Sequence, residues 1–407
     1  MVGSHSEILY NASFVEILHM KIVHICISAP YIDGWGYQEN LLPKYLQQAG
    51  IQNAVIASGN DFPFYLSTQE ISDIKAKGEN YTIGEVCIKR IKTKRFSTSF
   101  LVPFHLMDAI EAIQPDVIFH HNFNCTSLPI AARYAKRNNI PLVVDNHADV
   151  LNMSHNRIWA FVYYKLLIGL TCKAIQKTIV KAYGVSHSRC DFIKEYYGIN
   201  QKKVDLLPIG ADVDIADTIP SKEILRQKYG YQETDFIVVS GGKMGVDKGT
   251  DQLILATERI RKNNPNSRIK LVLFGKIEDE DTLLQAKQSQ VVTLFDWCDR
   301  IKTLELLKMA DVACWPIHHT TLIEDAVAVC IPLIIRKTDT TEHLIEDNGI
   351  WIENGSAEAI ERAMSLLLNQ DEMRKSAMQQ GCEKMKNRLS YNTIAAKVVK
   401  DIYGSRQ

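Results

Sequence analysis

The sequence predicts an α/β protein built as two doubly wound, Rossmann-like sheets facing a central cleft. Three observations carry that prediction. At 407 residues the chain is long enough for two domains with separate cores. Short apolar runs alternate with stretches of helical spacing through most of it, the pattern of parallel strands covered on both faces. The alternation pauses at 210–220 and then restarts, so two α/β units of similar size follow one another. In such folds ligands bind outside the carboxyl ends of the strands.

The elements follow in order. The first strand is expected at 22–28, immediately after Met20, which makes Met20 a candidate translation start and 1–19 an extension outside the fold. No basic region followed by an apolar stretch marks a signal peptide there. Asp33-Gly34-Trp35-Gly36 is a loop, and 37–49 a helix in which Pro43 implies a kink or a late start. Strands are expected at 54–57, once or twice within 81–92, at 116–120 and at 142–145. The region 156–183 reads as a long helix, 188–197 as another, and 204–208 as a strand. The segment 210–220 reads as the interdomain linker. Beyond it, strands are expected at 236–240, 269–274, 291–295, 311–315 and 333–335, and an amphipathic helix at 391–403. The expected domains are 20–213, 214–388, and a terminal segment 389–407 packing back on the N-terminal domain.

Composition excludes several classes. A hydrophobic fraction of 46% and a charged fraction of 23% are those of an ordinary globular protein. A formal net charge of zero gives no bulk attraction to nucleic acid. No run reaches the roughly 18 apolar residues of a membrane span. Nine cysteines without a C-x-x-C pair point to free thiols, with Cys26, Cys87, Cys125, Cys298 and Cys314 in strand-like apolar runs, rather than to structural zinc. The expected place of the chain is the cytoplasm.

The chemistry starts at Ser240-Gly241-Gly242-Lys243-Met244-Gly245-Val246-Asp247-Lys248-Gly249-Thr250. It follows the apolar run 236–239 and precedes a stretch of helical spacing, so it reads as strand, glycine loop and helix. Such a loop brings backbone N–H groups and a helix start to an anion, and Lys243 and Lys248 bracket the turn as point charges suited to phosphate. It is neither a dinucleotide fingerprint nor a Walker A loop, which disfavours a nicotinamide dehydrogenase. A surface turn with solvated lysines is the alternative. A second strand, polar turn and helix runs Trp315-Pro316-Ile317-His318-His319-Thr320-Thr321-Leu322-Ile323-Glu324-Asp325. Thr320 and Thr321 can cap its helix, and Glu324 or Asp325 can accept hydrogen bonds from sugar or ribose hydroxyls. Thr321-x-x-Glu324 also has the form of a capping box, which would leave Asp325 to the ligand.

With these residues in place, the C-terminal half resembles the retaining glycosyltransferases of the GT-B fold, family 4, of bacterial capsule and surface-polysaccharide type. The family's G-R-x-x-x-x-K-G loop matches Gly242 to Gly249, with Lys243 in place of arginine. Its E-x7-E and following A-M-A-x-G-x-P match here with Asp325 at the second glutamate, Cys330 at the glycine and Pro332 at the proline; the first glutamate falls on Ile317. Asp296-Trp297 occupies the place of the family's base contact, and Thr341-Glu342-His343 through Gly349 adds a further match. In the N-terminal half Asp33-Gly34-Trp35-Gly36-Tyr37-Gln38-Glu39 is similar to the family's first glycine loop. Asp145-Asn146-His147-Ala148-Asp149 holds the cleft histidine, and 183–212 resembles the interdomain segment with Ile209 replacing an asparagine. The resemblance covers nearly all of the chain from Lys21.

What the resemblance implies is transfer of a sugar from a nucleotide diphosphate donor to a glycan or lipid-linked acceptor, with retained configuration and no metal or cofactor. The catalytic residues would be His147 near the reacting centre, Lys243 and Lys248 on the leaving diphosphate, and Asp325. Donor-binding residues would be Gly34, Gly36, Gly242, Trp297, His318, His319, Thr320, Thr321 and Glu324. No D-x-D sequence is placed to bind a metal. The basic run 89–95 is a candidate peripheral contact with the inner face of a membrane, against the alternative of a solvated face. The missing first glutamate, Cys330 and Ile209 motivate a second reading, a donor-binding partner subunit with impaired catalysis. A third is a GT-B sugar-nucleotide epimerase.

Overall fold

The computed structural model describes residues 20–63, 66–97, 100–148 and 161–404. The leader 1–19 and Asp149 lie outside them, as does the start of the long helix expected from 156. The chain divides into two compact units. One is made of the residues up to Pro208 and again from Tyr391; the other is the continuous stretch Ile209–Ser390.

The first unit carries strands β1 (Lys21–Cys26), β2 (Gln52–Ser58), β3 (Asn80–Ile83), β4 (Val86–Ile91), β5 (Thr93–Ser97), β6 (Phe100–Pro103), β7 (Val117–His120), β8 (Leu142–Asn146), β9 (Ile179–Gly184) and β10 (Val204–Leu206). Eight of them form one sheet in the order β10-β9-β8-β7-β1-β2-β4-β3, while β5 and β6 pair as a separate hairpin. All neighbours in the large sheet are parallel except β3 and β4. The strand order reverses between β1 and β7, which sets a switch point at their carboxyl ends.

Successive residues of β1 enter different cores. Val23 and Ile25 pack with Ile56, Ile118 and Val144. Ile22 packs with Leu42, Leu46, Phe119 and Tyr183, under the helices Gln38–Gln48 and Tyr391–Gly404. Burial on both faces explains why the strands read as unbroken apolar runs. Pro43 sits inside the helix Gln38–Gln48 rather than at its start, and its missing N–H leaves one helical bond unmade.

Two expectations fail here. Ile179–Gly184 is a strand, not the end of a helix: helical structure runs over Phe161–Ile168 and Gly169–Ile175, and the β-branched Ile179 and Val180 open a strand parallel to β8. Nor is 210–220 a free linker. Ala211 donates to Leu389 O at 2.7 Å and bridges to Ser390, and Val213–Asp217 is a short helix. The expected split near 213 therefore moves to Pro208, and the terminal segment begins at Tyr391.

The second unit has β11 (Phe236–Met244), β12 (Ile269–Ile277), β13 (Val292–Phe295), β14 (Val312–Trp315), β15 (Leu333–Arg336) and β16 (Gly349–Ile352) in the order β13-β12-β11-β14-β15-β16. Every pair is parallel. Its switch point lies between β11 and β14. Val239, Val272, Ala313 and Leu333 face one core, while Val238, Leu271, Val312 and Ile334 face the other under the helices Thr250–Asn263 and Ala357–Leu368. The nine cysteines are free; of those in the apolar runs, Cys26, Cys125 and Cys314 are buried, Cys298 is half-buried and Cys87 is exposed on β4.

Candidate active site

In the second unit β11 is longer than its sequence suggests. Gly241, Gly242, Lys243 and Met244 continue the strand, paired with Phe274, Gly275, Lys276 and Ile277 of β12. The cause is steric. A Cβ on Gly241 would lie 2.3 Å from the Phe274 ring, and one on Gly275 would lie 2.2 Å from Gly242 O. Only glycines let the two backbones run this close. The turn proper is Gly245 to Gly249, with a short 3-10 segment Val246–Lys248 before the helix Thr250–Asn263. Gly245 N–H donates to Thr250 Oγ1 at 3.1 Å and Val246 N–H to Asp279 Oδ2 at 3.2 Å. Lys243 is exposed, and Lys248 is half-buried with Nζ 3.3 Å from Asp247 Oδ2.

The turn after β14 packs against this one. A Cβ on Gly249 would meet Pro316 Cγ at 3.0 Å and Ile317 Cδ1 at 3.1 Å, and Trp315 Nε1–H donates to Gly241 O at 3.1 Å. Both lysine positions and the segment 316–321 thus gather at the switch point. Burial and the nearby Lys248 charge lower the basicity of His318. Thr320 is half-buried and Thr321 exposed. Thr321 caps the helix Leu322–Ala328 without a side-chain hydrogen bond, so the capping box suggested by Thr321-x-x-Glu324 does not form. Glu324 instead accepts from His319, Nε2 to Oε1 at 2.8 Å, and its buried Oε2 has no partner. Asp325 Oδ2 accepts from Arg300 Nη1 at 2.5 Å. Burial raises the Asp325 carboxyl above its ordinary range, against the pull of Arg300. Trp297 is 67% exposed, so it is not a core tryptophan.

In the first unit the loop after β8 presents His147. Asn146 fixes it, donating from Nδ2 to Ala148 O at 2.7 Å and accepting from Ala148 N–H at 3.2 Å. Arg189 Nε–H donates to His147 O at 3.0 Å. His147 Nε2 faces two carboxylates, Asp145 Oδ2 at 3.6 Å and Glu39 Oε1 at 3.9 Å. Burial disfavours the charged ring, but Asp145 and Glu39 outweigh it and raise its basicity. Asp145 is fully buried, accepting from His121 Nδ1 at 2.7 Å and from Asn122 N–H at 2.8 Å. Burial would raise its carboxyl, and His121 and His147 pull it far below the usual range.

Gly34 sits in the turn before the helix Gln38–Gln48 with φ +80°. Gly36 lies in the same loop. The turn is anchored by Asp33, which accepts from Arg90, Tyr81 and Lys77 at 2.9 Å each. Within the basic run 89–95, Arg90 is buried on Asp33 and Arg95 is paired with Asp61, while Lys92 and Lys94 are exposed. No helix among the described residues is long and apolar enough to cross a membrane.

Glu39, Asp145, Asp279, Arg300 and the pair His120-His121 are the site groups that sequence reasoning did not single out. Two adjacent histidines at the end of an apolar strand were a signal for the last pair.

Residues 41–215 match the model of Glycosyltransferase Family 4, and residues 221–384 match that of Glycosyl transferases group 1. A putative glycosyltransferase EpsD of Bacillus subtilis is 27% identical over 39% of this chain and 42% of its own length. The mannosylfructose-phosphate synthase of Agrobacterium fabrum is 24% identical over 33% of this chain and 28% of its own. The matched stretches thus span less than half of either curated relative. Among solved structures, a glycosyltransferase from Rickettsia africae superposes with a TM-score of 0.68 at 15% identity, covering 96% of this chain and 99% of its own. Anabaena Alr3699/HepE in complex with UDP and glucose superposes at 0.62 and 15% identity, covering 95% and 100%. The fold is that of these GT-B proteins. Successive glycosyltransferase models thus match along both units of a chain that has the GT-B fold.

Proposed function

We propose that the protein transfers a sugar from a nucleotide diphosphate donor to an acceptor hydroxyl with retention of configuration. The observation that carries this reading is the end of β11 with the turn Gly245 to Gly249, which carries Lys243 on the strand and sets Lys248 near His318 at the switch point of the second unit. Negative charge grows on the leaving diphosphate as the glycosidic bond breaks, and two lysines held on a rigid strand and turn oppose it without reorganising. The UDP and glucose bound by the Anabaena protein support a UDP-type donor. Glu324, oriented by His319 and with one buried oxygen unpartnered, is the candidate acceptor for a sugar hydroxyl. His147 is assigned to the sugar near the reacting centre, and Trp297 to the base. The acceptor is read as a glycan or lipid-linked sugar of surface-polysaccharide synthesis, and the place of action as the cytoplasmic side of the membrane.

One observation favours a second reading. Asp325, aligned with an acidic residue of the family motif, is engaged by Arg300, and Ile317 stands where the other acidic residue belongs. A donor-binding subunit with impaired catalysis would carry such changes. Thermal-shift titration with UDP-, GDP-, ADP- and CMP-sugars, followed by product analysis, separates the readings. Transfer or donor hydrolysis supports the transferase, binding without turnover the subunit, and conversion of the donor sugar alone an epimerase. Lys248→Ala is expected to weaken UDP binding about tenfold or more, as for loss of a charge-assisted contact of ~1.5–3 kcal/mol. Unchanged affinity refutes its role.

A further inference from the structure

Beneath His147 runs a buried chain of polar groups that the proposed reaction does not use. Asn53 Nδ2 lies 2.7 Å from Ile51 O. Asn53 Oδ1 lies 3.0 Å from His24 Nε2, His24 Nδ1 lies 3.1 Å from His121 Nε2, and His121 Nδ1 lies 2.7 Å from Asp145 Oδ2. His24, His121 and Asp145 have no exposed surface, and Asn53 is buried with them.

Both ends of the chain are acceptors, so the two imidazoles between them together carry one proton more than two neutral rings. A backbone carbonyl only accepts, so the Asn53 atom facing Ile51 O is the amide nitrogen, and Oδ1 faces His24. Oδ1 accepts, so His24 Nε2 carries a proton. One more proton lies between His24 Nδ1 and His121 Nε2, and it completes an imidazolium on one ring or the other; the carboxylate of Asp145 touches His121 and not His24, so the charge belongs on His121. At the other end the carboxylate of Asp145 accepts from His121 Nδ1. His121 therefore donates from both ring nitrogens, which only the imidazolium does.

We propose that His121 is a positioning residue that donates from both ring nitrogens and so holds a fixed positive charge beneath His147. Its charge offsets that of Asp145. Asp145 then orients His147 without locking it as a cation, and Glu39 is left as the uncompensated carboxylate facing the ring. The other groups around His121 are consistent with this. The Cys26 thiol on β1 is pushed up by burial and stays neutral. His24 is held to about 3, first by burial and then by the His121 charge, and His120 likewise to about 3. His121 itself rises well above its ordinary value: burial opposes its charge, and Asp145 more than restores it.

The charge assignment stands on the hydrogen bonds and on the contact of the Asp145 carboxylate with His121; its catalytic consequence rests on the reading of His147 as the residue that meets the sugar. The test is long-range 1H–15N correlation on full-length protein labelled at histidine nitrogen, from pH 5.5 to 8.5. One ring with both nitrogens protonated across the whole range, and missing from His121→Gln, is expected. In that variant the titration midpoint of His147 should rise by about two pH units, the order expected for losing a like charge ~6 Å away at an effective dielectric of ~20. The pH profile of sugar transfer should move the same way. A His121 that titrates, or that carries one proton in the unsubstituted protein, overturns the proposal, as does an unmoved His147 midpoint. Should His121→Gln fail to fold, the spectrum of the unsubstituted protein decides alone. If no transfer is detected, the proposed function fails while the spectra still judge the charge.

Discussion

Replacing Gly275 by alanine tests the geometry that delivers Lys243 to its turn. The new Cβ would lie 2.2 Å from Gly242 O and 3.0 Å from Gly242 C and N. All three are backbone atoms of β11, directly opposite Gly275 in the register, so no side chain can swing away. To reach van der Waals contact the strands must part by about 1 Å at the site of the lysine. Two penalties add. Gly275 has φ +112°, a conformation that costs a side-chain residue about 1–3 kcal/mol. Overpacking at a close backbone contact costs about 1–3 kcal/mol more. The sum, about 2–6 kcal/mol, corresponds to a fall in melting temperature of roughly 5–20 °C for a unit of this size. Gly230→Ala is the control: its φ is +78°, and a Cβ there meets nothing within 4 Å, so only the backbone penalty of about 1–2 kcal/mol applies. Differential scanning calorimetry measures both variants, and calorimetric titration with UDP measures binding. Gly275→Ala should melt well below Gly230→Ala and lose more UDP affinity. Equal melting temperatures for the two variants would refute the argument that Gly275 is required by the approach of Gly242.

Two further outcomes follow from buried charges. Arg300→Met leaves Asp325 buried without its partner, at a cost of about 2–4 kcal/mol at pH 7, discounted because Arg300 is partly exposed. The carboxyl is raised in the folded state, so the folded protein tolerates its protonated form; the deficit should be small near pH 4 and grow as pH rises, read by urea denaturation across that range. His24 and His120 are each lowered to about 3, so the unfolded chain binds more protons below about pH 6.5. Their contribution is present above that pH and lost as pH falls toward 3, at about 2.7 kcal/mol per pH unit for the two together. Hydrogen exchange at the amides of β1 and β7 between pH 6 and 5 checks this, and a flat exchange-derived stability would contradict it.

Much of the fold was legible because parallel strands buried on both faces leave apolar runs that little else in a chain resembles. Ile22-Val23-His24-Ile25 and Ile237-Val238-Val239 announce themselves in that way. Ile179 and Val180 did not, because they continue a stretch already apolar at helical spacing, and only pairing with β8 decides the matter. In the site, the lysines on the glycine turn were legible because their chemistry needs no partner. Arg300 and Asp325 are 25 positions apart, and nothing local links them. A pattern of four residues offered Glu324 a cap as the alternative to a donor contact, yet a histidine outside that pattern takes its carboxylate. His24, Asn53, His121 and Asp145 lie on three strands and one strand end, and only the register of the sheet brings them together.

The helix Tyr391–Gly404 buries Tyr391, Ile394, Ala395, Val398 and Ile402 in the first unit, and Asp401 accepts from Tyr183 at 2.7 Å. That unit is thus written in two instalments, with the whole second unit interposed. On the ribosome, synthesis runs N-terminal first, and the interposed unit can complete its sheet while the earlier one still lacks the helix covering Phe119 and Tyr183. Until the last few dozen residues emerge, the half that holds His147 exposes an apolar face to the cell. Chaperone dependence during translation, and sensitivity to frameshifts that alter the codons from Tyr391 on, should therefore fall on the unit whose sequence begins first.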